Sequence, residues 1–216
     1  MMRIKVFFMS LLALLIVILP TVAASSTSSK SWDFSVLLDG NEIGYHRFEL
    51  FEDGDERRIT SEAKFDVRVL FVNAFRYRHS NTEVWSNGCL REIEARTQAN
   101  GKNLAVSGFK VEDELIVDDG SGKNVFTDCV MTFAYWNPEF LEQAKLLNSQ
   151  SGEYLDVRVE PIGREPISVR GEEVDAIAYR LIAKKLEVTL WYSAENEWLA
   201  LESVAKGGRI IRYELT

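Results

Sequence analysis

Apolar and polar side chains alternate along most of the chain, at the two-residue spacing that is typical of half-buried β-strands. The first such segment places Trp32, Phe34, Val36 and Leu38 at every second position. Further segments of strand length occupy residues 46–50, 65–69, 155–159, 174–182, 186–192, 199–204 and 210–215. With the shorter segments between them, the pattern predicts about eleven or twelve strands and a mainly β fold.

Turn signals separate these segments. Asp-Gly or Asn-Gly pairs, which supply the positive φ angles of tight hairpins, stand at 39–40, 53–54, 87–88, 100–101 and 119–120. Because most connections are short, strands that are neighbours in sequence should pair antiparallel. Strand twist accumulates over a dozen strands, so the sheet has to curl or close. We therefore predict a single large curved antiparallel sheet or an open barrel.

One short helix is predicted within this β-rich chain. Asn137 is a suitable N-cap, Pro138 fits the first helical position, and Glu139 places an acid in the first turn. Apolar residues follow at helical spacing as far as Leu147, and Asn148 is a suitable end. We expect a helix of about ten residues that packs on the concave face of the sheet.

The N-terminus has the pattern of an export signal. Arg3 and Lys5 precede an apolar run over residues 6–19, and small residues follow up to a cleavage site near Ala23 or Ala24. The run has about 14 residues, whereas a membrane-spanning helix needs roughly 20. A retained membrane anchor is the alternative. We predict a cleaved signal and no stable membrane span after cleavage.

The predicted organisation is a signal peptide over 1–24, a flexible linker over 25–30 and a single β-rich domain over 31–216. Of the 216 residues, 46% are hydrophobic and 27% are charged, which excludes a disordered chain. Removing Arg3 and Lys5 with the signal reduces the 25 basic residues to 23, against 33 acidic residues. This acidic balance, without a basic face, excludes nucleic-acid binding.

Two cysteines are present, Cys89 and Cys129. In the oxidising compartment that an exported protein enters, two thiols commonly pair, so we predict a disulfide between them. In the chain-entropy model the closed loop contributes about 3–4 kcal/mol to stability. The alternative is a single catalytic thiol, but the sequence shows no neighbouring base for it.

Motifs for catalysis, metals or cofactors are missing from the sequence. The two histidines, His46 and His79, stand in no HxH or HExxH arrangement, and neither a Walker loop nor GxGxxG is present. Each histidine alternates with apolar neighbours and is interpreted as a half-buried strand residue rather than a base. We predict no catalytic residue, no metal and no cofactor. An enzyme would regain support if either histidine faced a shared cavity beside a carboxylate.

An aromatic block, CVMTFAYWNP at 129–138, is the most unusual stretch of the chain. With the helix that follows, it offers Phe133, Tyr135, Trp136 and Phe140 as candidate ligand-binding residues for an apolar molecule. The alternative is an aromatic plug that fills the core between the sheet and the helix.

The chain resembles a family of exported Gram-negative bacterial proteins, the domain of unknown function 6134 family. The resemblance rests on this block together with EVWSNG at 83–88, TQANG at 97–101, LWY at 190–192 and YEL at 213–215. It implies a periplasmic location, and the family has no established activity to transfer. A weaker similarity, in fold only, is to periplasmic lipoprotein carriers and sensors, in which a large antiparallel sheet bends around a helix.

The expected function is a non-enzymatic periplasmic binding or carrier protein for an apolar or acyl-chain ligand. A strongly curved sheet encloses either a filled core or a cavity, and a cavity would hold such a ligand. The alternative is a cell-envelope interaction module that docks a partner protein on an exposed sheet edge or acidic face. An enzyme is the less favoured class.

Overall fold

The computed structural model of the protein describes residues 27–69, 72–184, 186–205 and 207–216. The predicted signal peptide and the first residues of the predicted linker lie outside the described residues. None of the helices in the described part of the chain combines the length and apolar character needed to cross a membrane.

Fourteen strands can be assigned within the described residues, and they form one antiparallel sheet. In chain order they are β1 (Ser28–Leu38), β2 (Asn41–Asp53), β3 (Glu56–Val69), β4 (Val72–Ser86), β5 (Cys89–Ala99), β6 (Lys102–Val111), β7 (Glu114–Asp118), β8 (Lys123–Phe126), β9 (Lys145–Leu147), β10 (Tyr154–Val169), β11 (Glu172–Ala183), β12 (Leu186–Tyr192), β13 (Trp198–Val204) and β14 (Ile210–Leu215). The predicted mainly β fold with one large antiparallel sheet is confirmed.

The strand order follows the chain from hairpin to hairpin. It runs from β8 back to β1, continues through β14, and ends at β9, so the first and last strands pair in the middle. The sheet has more strands than the predicted eleven or twelve. The edge strands β8 and β9 contain four and three residues, which is too few to show a clear alternation.

The two ends of the sheet approach each other. The ring of Phe126 on β8 lies 4.9 Å from that of Tyr154 on β10, centroid to centroid. Near this contact, the Cα of Gly152 is so close to the β7–β8 turn that an added Cβ would lie 2.5 Å from the Cβ of Asp119. The sheet is therefore an open barrel whose edges meet through side chains rather than through backbone pairing.

The predicted helix is present but shorter than expected. A 3₁₀ helix spans Pro138–Glu142, and the side chain of Asn137 caps it by accepting a hydrogen bond from the Glu139 amide at 3.3 Å. The last apolar position of the predicted helix, Leu147, belongs instead to β9, where it and Leu146 are fully buried. Pairing with β10 and a parallel bridge to Thr132 hold this segment extended.

The predicted linker over 25–30 also needs correction at its C-terminal end. Strand β1 begins at Ser28, because the backbone from Ser28 to Lys30 pairs with that from Glu52 to Leu50 on β2. The Ser28 hydroxyl donates to the Glu52 carboxylate at 2.9 Å. Serine and lysine are permitted there because this part of the β1–β2 hairpin is exposed on the outside.

Residues 130–136, here called the plug, fill much of the interior. A disulfide between Cys89 and Cys129 attaches the start of the plug to β5, and the Leu90 amide donates to the Val130 carbonyl at 2.9 Å. At the other end, Trp136 packs edge-to-face against Trp85, with 5.6 Å between ring centroids. The main hydrophobic core surrounds the plug and contains side chains from both halves of the sheet.

Candidate ligand cavity

A cavity of about 380 Å³ lies beside the plug. Strands β2, β3 and β4 contribute most of its inner polar groups together with Phe48 and Ile59, and the plug, β10 and β12 contribute further apolar side chains. The residues that line it include His46, Phe48, Ile59, Ser61, His79, Asn81, Glu83, Thr132, Phe133, Tyr135, Trp136, Glu153, Leu155, Lys184 and Leu186.

The strand register explains why two histidines share this cavity. His46 on β2 pairs with Ala63 on β3, which pairs with His79 on β4. Residues paired across neighbouring antiparallel strands point to the same face of the sheet. Because Ala63 is small, the two rings approach each other above it, edge to face, with 6.5 Å between their centroids. We call His46 and His79 the histidine pair.

Burial keeps the histidine pair uncharged near neutral pH. Desolvation lowers the pKa of His46 to about 3, with repulsion from His79 as the smaller cause. Desolvation likewise lowers the pKa of His79 to about 4, although a hydrogen bond to the Arg96 backbone acts in the opposite direction. The Nδ1 atom of His79 lies 2.8 Å from the Thr97 hydroxyl, and that of His46 lies 3.4 Å from the Tyr213 hydroxyl.

Glu83 lies on the same face of β4 as His79, four residues along, and is only 2% exposed. Asn81 donates to its Oε1 at 2.8 Å, while Trp85 and Thr132 donate to its Oε2 at 3.0 and 3.2 Å. Burial raises the pKa of the Glu83 carboxyl, and these three hydrogen bonds oppose that shift. The carboxyl thus links strand β4 to the plug.

Two polar atoms of the cavity wall have no hydrogen-bond partner among the described residues. They are Nε2 of His46 and Oδ1 of Asn81, and both are buried. Buried polar atoms are paired in the great majority of cases, either with protein groups or with water and ligands. Both residues line the cavity, so these two atoms are the buried polar groups of its wall that have no protein partner among the described residues.

The aromatic residues that the sequence indicated fall into two groups. Phe133, Tyr135 and Trp136 line the cavity. Phe140 is 0% exposed and does not line it, but packs edge-to-face against Tyr135, with 5.6 Å between ring centroids. The Tyr192 hydroxyl donates to the Tyr135 carbonyl at 2.8 Å, which fixes the plug against β12. The aromatic block therefore both fills the core and lines a cavity wall.

The mouth of the cavity is polar. Gln150, Glu153 and Lys184 are exposed and line its outer part. The Lys184 ammonium lies 3.9 Å from the Glu153 carboxylate. An incoming molecule thus meets a charge pair at the entrance and mostly neutral groups inside.

Sequence reasoning missed the polar wall of this site. It interpreted the histidine pair as half-buried strand residues, and it did not single out Asn81 or Glu83. The structure places both histidines in one cavity with the Glu83 carboxyl, which is the arrangement that would support an enzyme. The signal in the sequence is weak: polar residues at 79, 81 and 83 occupy the positions that the alternation of β4 assigns to the interior. Among the described residues, no three His, Cys, Asp or Glu side chains converge as metal ligands would.

The fold and the cavity define an open, β-barrel-like protein with an internal site. The model of a family described as Domain of unknown function (DUF6134) matches residues 34–216, and the chain belongs to this family. The resemblance seen in the sequence motifs is thereby confirmed. A search of curated proteins gives no match.

The fold is similar to that of a solved structure, a beta-barrel-like protein of domain of unknown function DUF1849 from Brucella abortus. The two chains superpose with a TM-score of 0.66 and are 8% identical in sequence. The match covers 89% of this chain and 98% of the other. At this identity the similarity concerns the fold alone.

Proposed function

We propose that this protein binds a small amphipathic molecule in the cavity beside the plug, and that it acts as a binding or carrier protein rather than as an enzyme. The observation that carries the proposal is the cavity itself. Its volume of about 380 Å³ lies within the range of roughly 300–1,000 Å³ that small-molecule sites occupy. It combines an apolar wall with a few polar groups, as such sites do.

The apolar part of the lining supports a ligand with a hydrocarbon portion. Phe133 on the plug, Leu155 on β10 and Leu186 on β12 are partly buried and line the cavity. Apolar surface removed from water stabilises a complex by about 25 cal/mol per Å². An acyl chain or a ring system of modest size would gain this contribution along that wall.

The chemistry of the polar wall favours binding over catalysis. A general base works best when its pKa lies near the operating pH, whereas burial lowers the pKa of His46 to about 3 and that of His79 to about 4. Both oxygens of Glu83 already accept hydrogen bonds from protein donors. The groups that would perform acid–base chemistry are thus poorly matched to it.

We also propose that the protein acts in the periplasm, after cleavage near Ala23 or Ala24. The apolar N-terminal run and the disulfide between Cys89 and Cys129 support export to an oxidising compartment. Cell fractionation followed by N-terminal sequencing tests this location. Recovery in the cytoplasm with an intact N-terminus would contradict it.

The experiment that tests ligand binding compares native and denatured mass spectra of protein purified from its own host. The expected result is a mass excess that disappears on denaturation. Ser61→Phe serves as a cavity-filling variant, because Ser61 lies on the inner face of β3 and lines the cavity. Thr60→Phe is its matched control, since neighbouring residues of a strand point to opposite faces.

Loss of the mass excess in Ser61→Phe, with retention in Thr60→Phe, places the ligand in the cavity. Circular dichroism establishes that both variants are folded. A bare chain mass for the wild-type protein, or equal retention by both variants, would refute binding at this site.

A second candidate function is docking of an envelope protein at the β8 edge of the sheet. On the outer face there, Phe109, Ile116 and Val125 are directly paired across β6, β7 and β8. Phe109 and Val125 are 56% and 54% exposed. An exposed apolar row beside an unpaired edge is typical of strand-addition sites. A photo-crosslinker at Val125 should capture a partner in cells, whereas one at the distant exposed Ile162 should not.

A further inference from the structure

We infer that the cavity selects an uncharged ligand with hydroxyl groups on its polar side, which hydrogen-bond to His46 Nε2 and Asn81 Oδ1. This inference rests on the proposed binding function and specifies its ligand class. It distinguishes such a molecule from a free fatty acid or an amine of the same size. Three features of the wall carry it.

The first feature is the lack of a positive charge inside. Among the described residues that line the cavity, the one with a permanent positive charge is Lys184. It lies at the exposed mouth and is paired with Glu153 at 3.9 Å. The histidine pair is neutral near pH 7, because burial lowers the pKa of both rings. A carboxylate or phosphate would therefore enter without a compensating cation, which is strongly unfavourable in a buried site.

The second feature is that the buried carboxyl is already engaged. Asn81, Trp85 and Thr132 donate to the two oxygens of Glu83 at 2.8–3.2 Å. An ammonium group in the cavity would have to replace one of these donors, and two of them come from buried residues. A cationic ligand therefore finds no carboxylate oxygen without a partner on this wall.

The third feature is the chemistry of the two unpaired atoms. Oδ1 of Asn81 accepts hydrogen bonds, so it requires a donor from the ligand. Nε2 of His46 donates or accepts according to the tautomer of the ring. A hydroxyl group can meet both requirements, because it has one donor hydrogen and two acceptor lone pairs.

The two atoms belong to strands that lie on either side of β3. Two strand spacings and an offset of two residues along the strand place the backbones of His46 and Asn81 roughly 12 Å apart. One hydroxyl cannot contact both, so the ligand needs two polar groups on the same side. Its apolar side would face Phe133, Leu155 and Leu186, which line the same cavity.

Three probes with the same eight-carbon chain test this selectivity: 1,2-octanediol, octanoate and octylammonium. Each is titrated into delipidated mature protein at pH 7, and binding is measured by isothermal titration calorimetry. The diol is expected to bind at least about tenfold more tightly than either charged probe, because only the charged probes leave a buried charge unpaired. Tighter or equal binding of octanoate would overturn the inference and leave the proposed function in place.

Two variants test the contacts. His46→Phe keeps an aromatic ring at this position but removes Nε2, and Asn81→Leu removes Oδ1. Each should weaken diol binding by about tenfold, which corresponds to the loss of one hydrogen bond. Thr82→Leu, on the opposite face of β4, is the matched control for Asn81→Leu and should bind as the wild type does. Circular dichroism and the urea midpoint establish that each variant is folded.

The failures of the two proposals differ. If no probe binds and the native mass spectrum shows the bare chain, the binding function itself fails. If the diol binds equally well to wild type, His46→Phe and Asn81→Leu, the protein binds a ligand, but the inferred ligand class or its contacts with His46 and Asn81 are wrong. Selective diol binding that both substitutions weaken supports the inference.

Discussion

Replacing Glu83 by leucine should destabilise the protein strongly, because it removes the acceptor of three donors. Trp85 and Thr132 are 1% and 2% exposed, so their donors have no access to bulk water. A buried donor without an acceptor costs about 1–3 kcal/mol. The Asn81 amide borders the cavity, so a water molecule there can accept its hydrogen bond in place of the Glu83 carboxylate. Burial of the leucine side chain offsets part of the loss, and we expect the free energy of unfolding to fall by about 2–4 kcal/mol.

Glutamine at the same position is the matched control. Its carbonyl oxygen can accept from Trp85 and Thr132 in place of Oε2. Its amide then faces Asn81, whose own amide can turn so that the unpaired Oδ1 accepts. Glu83→Gln should therefore stay within about 1 kcal/mol of the wild type at pH 7.

The Glu83→Gln variant also isolates the titration of this carboxyl. Burial raises its folded-state pKa above the ordinary value of 4.5. The stability contributed by the protonated group is therefore fully present below that value and is lost as the pH rises through the folded-state pKa. The stability of Glu83→Gln relative to wild type should accordingly increase with pH across this window.

Urea unfolding followed by tryptophan fluorescence measures all three proteins, with equal m-values as the check that a two-state comparison holds. A Glu83→Leu protein as stable as wild type, or a Glu83→Gln protein as unstable as Glu83→Leu, would contradict the assigned role of Glu83. The first result would show that the three donors find other acceptors. The second would show that the negative charge, rather than the acceptor geometry, stabilises this site.

Three further predictions concern the rest of the fold. The folded-state pKa is about 3 for His46 and about 4 for His79, whereas the ordinary value is 6.5. The free energy of unfolding should therefore fall as the pH drops below about 6.5. In urea titrations at acid pH, His46→Phe should show a smaller loss than the wild type. Replacing both Cys89 and Cys129 by serine should lower the free energy of unfolding by about 4 kcal/mol, measured beside the reduced wild type; an unchanged urea midpoint would contradict this. Gly44→Ala should prevent normal pairing of β2 with β3, because the new Cβ would lie 1.8 Å from the Lys64 carbonyl oxygen. The β3 amides should then exchange hydrogen faster in Gly44→Ala than in the control Gly40→Ala, in which the added Cβ has open space.

The main architecture could be predicted because it depends on local signals. Alternation from Trp32 to Leu38 matches β1, and the Asp39-Gly40 pair forms the turn to β2, with both residues at positive φ. The edges of the sheet were less predictable. Strand β9 depends on contacts with β10 and Thr132, and one of its two leucines, Leu147, fits a helical spacing equally well. At these residues, pairing with segments that are distant in sequence makes the chain a strand rather than a helix.

The candidate site was harder to predict, because its members are separated by long stretches of sequence. His46 and His79 are 33 positions apart, and only the pairing of both with Ala63 places them side by side. A one-residue shift in either hairpin would move one of these rings to the outer face of the sheet. Single-strand alternation therefore identifies each histidine as an inward residue, but it cannot show that the two rings share a cavity.

The plug explains why the interior contains a cavity at all. The fourteen curled strands of the described residues enclose more space than their own side chains fill, and the chain uses residues 130–136 to occupy part of it. Thr132 attaches this segment to Glu83 on one side, and the Tyr135 carbonyl attaches it to Tyr192 on the other. Because the plug is held between β4 and β12, it leaves the space beside the histidine pair unfilled. In this arrangement Glu83 supports the cavity, whereas His46 and Asn81 are the residues that we propose for ligand contacts, and substitutions at the two kinds of position should separate stability from binding.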